Sequence, residues 1–394
     1  MTIRRPVPPH ARNGLLLIGI MLIASTLRAP ITGVAPLLGM IRETTAISAA
    51  QAGVLTTLPL LAFAAISPFA AILAREYGME RALFGALVFV AAGIGLRSSG
   101  PVWALFLGTG TLGAGIAVAN VLLPSLLKRD FPSRVTGLTG AYALTTGLVA
   151  ALASATAIPL AHLPGSGWRV ALFSVLVFPI AAFLAWLPQL GLHSAPTREI
   201  ATPPHGGPVW HSPLAWQVTL FLGMISLVYY IVVGWLPSIL MDAGYSAAAA
   251  GSLHGLSQLA TAVPGLVFGP VVRRMKDQRA IAVGVALTTG ISMLGLWQFP
   301  SWAMLWVALF GLGTGAAFML GLALVSLRAS HSRQAAALSG MAQCVGYSLA
   351  AAGPPVAGLV HEAVGGWGIT LGSCFVLCLF MAVFGSLAGR AATL

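Results

Sequence analysis

The segment Ser48-Ala49-Ala50-Gln51-Ala52-Gly53 recurs as Ser246-Ala247-Ala248-Ala249-Ala250-Gly251, 198 residues further along the chain. The same shift places Arg75 on Arg273 and Arg81 on Arg279. A shift of 200 residues superimposes further pairs: Gly113 on Gly313, Gly115 on Gly315, Leu138 on Leu338 and Gly140 on Gly340. Chance aligns glycines easily in an Ala/Leu/Gly-rich chain, but it does not readily explain the matched arginines. The sequence therefore predicts two halves, the second repeating the first in the same orientation.

The composition is that of a membrane protein. Of the 394 residues, 58% are hydrophobic and 7% are charged, and the mean hydropathy is +0.93, whereas a soluble domain carries about 25% charged residues. These values exclude a water-soluble enzyme. Twelve apolar stretches approach the roughly 20 residues that cross a bilayer, and we name them helix 1 to helix 12: 14–38, 50–73, 82–99, 102–127, 135–160, 168–188, 213–240, 247–272, 280–299, 301–326, 335–360 and 367–388.

The basic residues fall mainly on one side of this array. With the N-terminus inside, 16 of the 20 are cytoplasmic: Arg4, Arg5, Arg12, Arg75, Arg81, Lys128, Arg129, Arg134, Arg198, Arg273, Arg274, Lys276, Arg279, Arg328, Arg333 and Arg390. Only Arg42, Arg97 and Arg169 fall outside, and Arg28 lies within helix 1. Cytoplasmic loops normally hold the excess of Lys and Arg. We therefore predict that both termini are cytoplasmic, and that the net charge of +12 reports topology rather than nucleic-acid binding.

This pattern predicts an all-α membrane protein of two six-helix halves. The N-terminal half comprises residues 1–188, a polar cytoplasmic linker 189–212, and the C-terminal half 213–394. We expect a monomer surrounded by lipid in the bacterial inner membrane, with a small molecule as its only other partner. The first apolar stretch runs through Arg28, beyond an ordinary signal-peptide core, so we interpret it as a retained helix.

Two parallel six-helix halves with inside termini and a polar linker resemble the major facilitator superfamily. Longer stretches resemble its cyanate permease and 2-nitroimidazole transporter family, and more closely its 2-nitroimidazole-exporting members: residues 214–223, 226–230, 250–255 and 337–343. The resemblance implies alternating access and a small solute, either a cyanate-like anion or a 2-nitroimidazole-like heteroaromatic. One motif departs from the superfamily, because Arg75 stands where an aspartate is expected in the connection from helix 2 to helix 3. The salt bridges usually drawn from that motif cannot be carried over unchanged.

The acidic residues all lie in predicted loops or at helix ends: Glu43, Glu76, Glu80, Asp130, Glu199, Asp242, Asp277 and Glu362. Arg28, in contrast, lies near mid-depth, where a guanidinium costs at least about 2.5–3.5 kcal/mol. One interpretation is a packing role, with Arg28 bonded to backbone carbonyls, to Ser25 or Thr32, or to a tyrosine of helix 7. The other is a cavity role, binding a carboxylate, nitro group or cyanate through its two-pronged guanidinium. The second is favoured, because no mid-span acid can neutralise Arg28.

Further candidates come from rare polar side chains. Aligning Pro36 with Pro237 brings Arg28 opposite Tyr229 in helix 7, and Tyr229 with Tyr230 could sandwich a flat solute or simply pack against neighbouring helices. His254 in helix 8 is either a structural hydrogen-bonding residue or a group for substrate binding and reversible protonation. Asn120 in helix 4 and Gln343 in helix 11, with Tyr347 one turn beyond Gln343, could bind solute or tie helices together.

No catalytic, metal-binding or cofactor-binding pattern is recognisable. The glycines of helices 4 and 10 fit close helix packing better than a nucleotide loop, and all three cysteines, Cys344, Cys374 and Cys378, fall within predicted membrane helices. The sequence thus predicts a secondary transporter with Arg28, Tyr229, Tyr230, Asn120, Gln343 and His254 as site residues. A channel-like facilitator of small anions, or a membrane receptor, is the alternative.

Overall fold

The structure, a computed structural model, describes residues 9–131, 134–191, 207–267, 275, 277–330 and 332–394, which form helices and turns with no strand among them. In the first half the helices are Pro9–Ser25, Ala29–Thr32 and Leu38–Thr45 (helix 1, with the 3-10 turn Ala35–Leu37), Ala49–Tyr77 (helix 2), Met79–Arg97 (helix 3), Val102–Asp130 (helix 4), Val135–Ala161 (helix 5), and Trp168–Ser174 with Val177–Trp186 (helix 6). In the second half they are Pro213–Asp242 (helix 7), Ala247–Ala262 (helix 8), Arg279–Gln298 (helix 9), Ala303–Arg328 (helix 10), Ser332–Val364 (helix 11) and Gly368–Ala388 (helix 12).

Ten helices in the described ranges are long and apolar enough to cross a membrane. They correspond to helices 1–7, 9, 10 and 12, so the prediction of an all-helical membrane protein is confirmed. Helices 8 and 11 are not among the ten, and twelve crossings stay a prediction. Most of the predicted linker, at 192–206, and part of helix 8, at 268–272, lie outside the described residues.

The repeated serine segment caps two equivalent helices. The Ser48 hydroxyl accepts a hydrogen bond from the Gln51 backbone N–H (3.2 Å), and the Gln51 side-chain oxygen accepts one from the Ser48 N–H (2.9 Å). The Ser246 hydroxyl accepts a hydrogen bond from the Ala249 N–H in the same way (3.2 Å). These bonds satisfy amides that a helix N-terminus leaves free. Helices 2 and 8 therefore begin at equivalent serines, as the duplication predicts.

The glycine that ends each repeated segment lies where the two halves touch. A Cβ on Gly53 of helix 2 would lie 2.5 Å from the backbone of Pro355 in helix 11, and one on Gly251 of helix 8 would lie 3.1 Å from the Ser154 carbonyl in helix 5. Small residues permit such close approach of helix backbones in lipid. The halves accordingly contact each other through the equivalent pairs helix 2 with helix 11 and helix 8 with helix 5.

Two apolar clusters lie mainly within one half each. One core packs Leu83 and Trp186 of the first half, and a second packs Phe221 and Met381 of the second half. A third cluster combines residues of both halves. Most of the apolar packing in two of the three clusters therefore lies within one half, and the third cluster joins the halves.

The departure from the superfamily motif has a structural counterpart between helices 3 and 4. Arg75 is exposed, whereas Glu80 in the first turn of helix 3 is buried. The Glu80 carboxylate lies 2.8 Å from the Arg129 guanidinium of helix 4, which also contacts Asp130. Glu80, rather than a residue at position 75, supplies the acidic partner at this end of the first half.

Candidate functional site

A cavity of about 630 Å³ lies between the two halves. Its lining comes from helices 1, 2, 4 and 5 of the first half and helices 7, 8, 10 and 11 of the second. The polar lining residues are Arg28, Thr32, Thr56, Ser67, Asn120, Tyr142, Thr146, Ser226, Tyr229, Tyr230, Thr261, Ser339, Gln343 and Tyr347. A concave site of this size between helices suits a small molecule. Five of the six predicted site residues therefore line one cavity, and His254 does not.

Arg28 lies at a break in helix 1. The first segment ends at Ser25, and the Thr26 and Leu27 amides bond three residues back, to the Ile23 and Ala24 carbonyls, in place of the usual four. Pro30 lacks a backbone N–H and its ring clashes with the preceding turn, so it disfavours a continuous helix here. Arg28 then precedes the short helix Ala29–Thr32. The break directs the Arg28 side chain into the cavity.

The Arg28 guanidinium has no hydrogen bond and no ion pair with any other residue that the structure describes. Its central carbon lies 5.6 Å from the Tyr229 ring centroid, within cation–π range. The hydroxyls of Ser25 and Thr32, which the packing interpretation assigned to Arg28, donate instead to the backbone carbonyls of Leu22 and Arg28. The five N–H donors of the guanidinium are thus left for a bound molecule.

The two tyrosines of helix 7 take different positions. The Tyr229 side chain is buried, and its hydroxyl donates a hydrogen bond to the Gln258 side-chain oxygen (3.0 Å). Tyr230 is partly exposed, and its ring meets the Tyr229 ring edge to face, with centroids 5.1 Å apart. Phe318 of helix 10 contacts Tyr229 in the same geometry. The Tyr229 ring is therefore held in place facing Arg28, while part of the Tyr230 side chain is exposed to the cavity.

Asn120 of the first half and Gln343 of the second half both line the cavity. The Asn120 side-chain oxygen accepts a hydrogen bond from the Tyr142 hydroxyl (3.4 Å), and the Gln343 amide donates one to the Ser339 hydroxyl (3.0 Å). Both amides are exposed. Each therefore retains hydrogen-bonding capacity directed at the cavity, one from each half.

His254 lies in the contact between helices 8 and 5 rather than in the cavity lining. The residue is fully buried. Its Nδ1 lies 2.5 Å from the Ser154 hydroxyl, and its buried Nε2 has no hydrogen-bond partner among the described residues. This geometry joins the two halves, and the predicted roles in binding and protonation stay predictions.

Aromatic residues beyond the helix 7 pair complete the site. Tyr142 from helix 5 and Tyr347 from helix 11 line the cavity, and Phe63 of helix 2 meets the Tyr347 ring edge to face at 6.2 Å. Four of the six tyrosines in the chain are lining residues. The scarcity of tyrosine in so apolar a sequence is the signal that could have identified Tyr142 together with Tyr347 and the helix 7 pair.

An ion pair joins the halves where helix 2 begins. The Arg42 guanidinium at the end of helix 1 lies 2.8 Å from the Glu362 carboxylate at the end of helix 11. The same carboxylate oxygen accepts a hydrogen bond from the Ala49 N–H (2.7 Å) in the first turn of helix 2. Glu362 thus links one half to two helices of the other, on the side predicted to be external.

Comparison with known proteins identifies relatives along nearly the whole chain. The model of the Major Facilitator Superfamily matches residues 16–351. The chain is 54% identical over 380 residues to the 2-nitroimidazole transporter of Escherichia coli (strain K12), with 96% of each chain covered. It is 27% identical over 357 residues to the cyanate transport protein of the same organism, covering 89% of this chain and 91% of that one. The resemblance inferred from the sequence is confirmed.

The fold matches a solved structure as well. The crystal structure of a D-xylose-proton symporter superposes with a TM-score of 0.75 at 14% sequence identity, covering 98% of this chain and 99% of the other. At this identity the similarity concerns the fold alone.

Proposed function

The chain belongs to the Major Facilitator Superfamily, and from this premise we propose how this secondary transporter lies in the membrane and what it carries. Twelve helices cross the bacterial inner membrane, with both termini cytoplasmic, and the protein works as a monomer. Residues 1–188 and 213–394 form the two halves, connected by the linker 189–212. Rocking of the halves about the central cavity gives access from each side in turn.

The proposed solute is a small planar nitrogen-containing molecule of the 2-nitroimidazole type or a small anion of the cyanate type. The observation that carries this proposal is the Arg28 guanidinium, which faces the cavity beside the Tyr229 ring without an acidic partner among the described residues. A nitro group, a cyanate or a carboxylate can accept two hydrogen bonds from it. The names of the two relatives support the same choice of solute.

We assign roles to the site residues accordingly. Arg28 binds the electron-rich end of the solute, and Tyr229 and Tyr230 contact its flat face. Asn120 and Gln343 donate or accept hydrogen bonds at its edge, one from each half. His254 has weaker support as a binding or proton-carrying group, because it lies in the helix 5 to helix 8 contact and bonds to Ser154.

A counterflow experiment tests the proposed function. Purified full-length protein in liposomes is supplied with labelled 2-nitroimidazole or labelled cyanate, with and without unlabelled compound inside. We expect saturable uptake of at least one probe and faster uptake when the lumen holds unlabelled probe, because a carrier returns more readily when loaded. Flux that does not saturate and shows no counterflow would support the channel alternative. Binding without flux would support a receptor.

A further inference from the structure

We propose that the solute is carried as a monovalent anion whose charge only Arg28 balances, so that each transport cycle moves net charge across the membrane. The inference rests on the proposed function and concerns what that function does to the membrane potential. It follows from the charged side chains that line the cavity and from the ion pairs that the acidic side chains form outside the cavity.

Arg28 is the only residue with a formal charge in the described lining of the cavity. Five of the seven described acidic side chains are paired elsewhere: Glu80 with Arg129, Glu362 with Arg42, Asp242 with His361, Asp130 with Arg129 and Asp277 with Arg279. The other two, Glu43 and Glu76, are exposed and do not line the cavity. No described Asp, Glu or His faces Arg28 across the cavity. The bound solute is therefore the available source of a compensating negative charge.

The neutral groups around Arg28 make an anion the better ligand. The Tyr229 ring stabilises the cation through its face, and the cavity hydroxyls of Tyr142, Tyr230 and Tyr347 are uncharged dipoles. None of these supplies the full charge that a guanidinium near the centre of a membrane requires. A planar monovalent anion supplies it, and the same four aromatic rings accommodate its flat shape.

Charge balance then determines the energetics of transport. With no described acid or histidine in the lining to take up a proton, the solute crosses with its own charge of −1 and no side chain carries a compensating proton. A charge that crosses the membrane potential gains or loses about 2.3 kcal/mol per 100 mV, which corresponds to about tenfold accumulation for each 60 mV. Transport should therefore respond to potential and not to a pH gradient.

The test uses full-length protein in liposomes, with potassium gradients and valinomycin setting the potential and cyanate or 2-nitroimidazole as the probe. We expect an inside-positive potential to drive accumulation approaching tenfold per 60 mV, with no change in lumenal pH. Arg28→Gln removes the cation and should abolish this accumulation. Arg169→Gln is the matched control, since Arg169 is exposed and lies over Trp168, away from the cavity.

Three results would overturn the proposal. Saturable uptake that ignores the potential and changes lumenal pH would show electroneutral transport with a proton, and His254→Gln would then identify the proton carrier. Potential-driven accumulation by Arg28→Gln would remove Arg28 from the charge balance. Absence of saturable flux with either probe would reject the proposed function, and this inference with it. The first two results leave the proposed function standing.

A different observation leads us to infer that Arg97, at the end of helix 3, is a positioning residue for Arg28. Arg97 is 1% exposed and has no acidic partner among the described residues. Its guanidinium donates hydrogen bonds to the Pro30 carbonyl of helix 1 (2.6 Å) and to the Leu172 carbonyl of helix 6 (3.4 Å). Pro30 lies two residues beyond Arg28, on the short segment that follows the helix 1 break.

Helix breaks leave both carbonyls, those of Pro30 and Leu172, without their usual backbone hydrogen bond. In an unbroken α-helix the Val34 amide would bond to Pro30 and the Leu176 amide to Leu172. Here the Val34 amide bonds to the Ile31 carbonyl (3.3 Å) and the Leu176 amide to the Phe173 carbonyl (2.9 Å). Buried carbonyls need a donor, and one cation supplies both. Arg97 therefore holds the segment that carries Arg28 against helix 6.

Affinity measurements on the folded protein test this role, with binding of cyanate or 2-nitroimidazole measured on the monodisperse fraction. We expect the dissociation constant to rise at least tenfold in Arg97→Met and by less in Arg97→Lys, since lysine keeps a charged donor for the nearer carbonyl. Arg328→Met is the matched control, because Arg328 is also buried and donates to the Ala388 carbonyl in the other half. That variant should lose stability but keep its affinity.

If Arg97→Met does not fold, the proposal is tested by comparing the probe affinities of the wild type, Arg97→Lys and Arg97→Gln. The proposal requires affinity to decrease in that order, because lysine keeps the charge and glutamine keeps only a neutral donor. Wild-type affinity in folded Arg97→Met or Arg97→Gln, or an equal loss in Arg328→Met, would overturn it.

Discussion

Two arginines of the first half, Arg28 and Arg97, are removed from bulk water in different ways. Arg97 is 1% exposed and donates to two backbone carbonyls that helix breaks release. Arg28 is partly exposed to a cavity, and its guanidinium makes no hydrogen bond with another described residue and faces the Tyr229 ring. The difference shows how to separate a structural cation from a binding one. An intramembrane cation that donates its hydrogen bonds to protein acceptors has a structural role. One whose N–H donors face an open cavity can bind a ligand with them.

The largest effect should come from removing the binding arginine. We expect Arg28→Ala to weaken binding of 2-nitroimidazole or cyanate by roughly 100-fold or more, since hydrogen bonds to charged groups contribute about 1.5–3 kcal/mol each. Binding to detergent-solubilised protein measures this, with Arg169→Ala as the control. Unchanged binding in a folded Arg28→Ala protein would remove Arg28 from the site.

Stability should separate the two arginines in the opposite direction. Arg97→Met leaves two buried carbonyls without a donor, at a cost of about 1–3 kcal/mol each, so we expect a lower melting temperature. Arg28→Met removes an intramembrane cation that costs at least about 2.5–3.5 kcal/mol, so the melting temperature should stay the same or rise. Thermal unfolding of both variants in the same detergent measures the two melting temperatures. Equal destabilisation by the two would contradict the distinction drawn above.

The Tyr229 side chain sharpens the comparison, because its ring faces Arg28 while its hydroxyl bonds to Gln258. Tyr229→Leu removes the ring that faces the Arg28 guanidinium and should weaken binding by about twofold to thirtyfold, since a cation–π contact contributes about 0.5–2 kcal/mol. Tyr229→Phe keeps the ring and should change affinity less. If the phenylalanine variant binds as weakly as the leucine variant, the hydroxyl rather than the ring face is what matters.

The smallest effect should come from an arginine that is both paired and exposed. Arg42 and Glu362 have side-chain exposures of 32% and 37%, and ion pairs of this kind contribute about 0–1 kcal/mol. We expect Arg42→Gln to change the transport rate less than about fivefold, and high salt to reduce the difference further. A loss as large as that in Arg28→Ala would mean that this contact between the halves controls transport.

Much of the fold could be predicted from the sequence. Matched serines predicted where helices 2 and 8 are equivalent, and in the structure both cap a helix N-terminus. Helix 1 was predicted as one continuous stretch and is broken around Arg28, because Pro30 disfavours the helix locally while hydropathy is insensitive to such a break. The sequence places Arg97 on the outer side near the end of helix 3, but it does not reveal that the side chain bonds to helices 1 and 6, because those carbonyls are distant in sequence.

The candidate site was predicted in part. Five predicted residues line one cavity: Arg28, Tyr229, Tyr230, Asn120 and Gln343. They could be predicted because each is a polar residue within an apolar helix. Tyr142 was missed, since its importance depends on helix 5 packing next to helix 4 and Asn120. His254 was grouped with the site as another polar exception, but the structure packs it against Ser154 between the halves.

The sequence by itself determined the membrane setting and the family and predicted the duplicated architecture, because hydropathy, repeats and contiguous motifs can be recognised from the order of residues alone. It also singled out Arg28, because a cation within a membrane helix is costly wherever that helix packs. Only the tertiary structure decided which arginine is satisfied. Arg97 finds its acceptors on helices 1 and 6, which are distant in sequence, and Arg28 finds none, since hydrogen bonding depends on distances that packing alone sets.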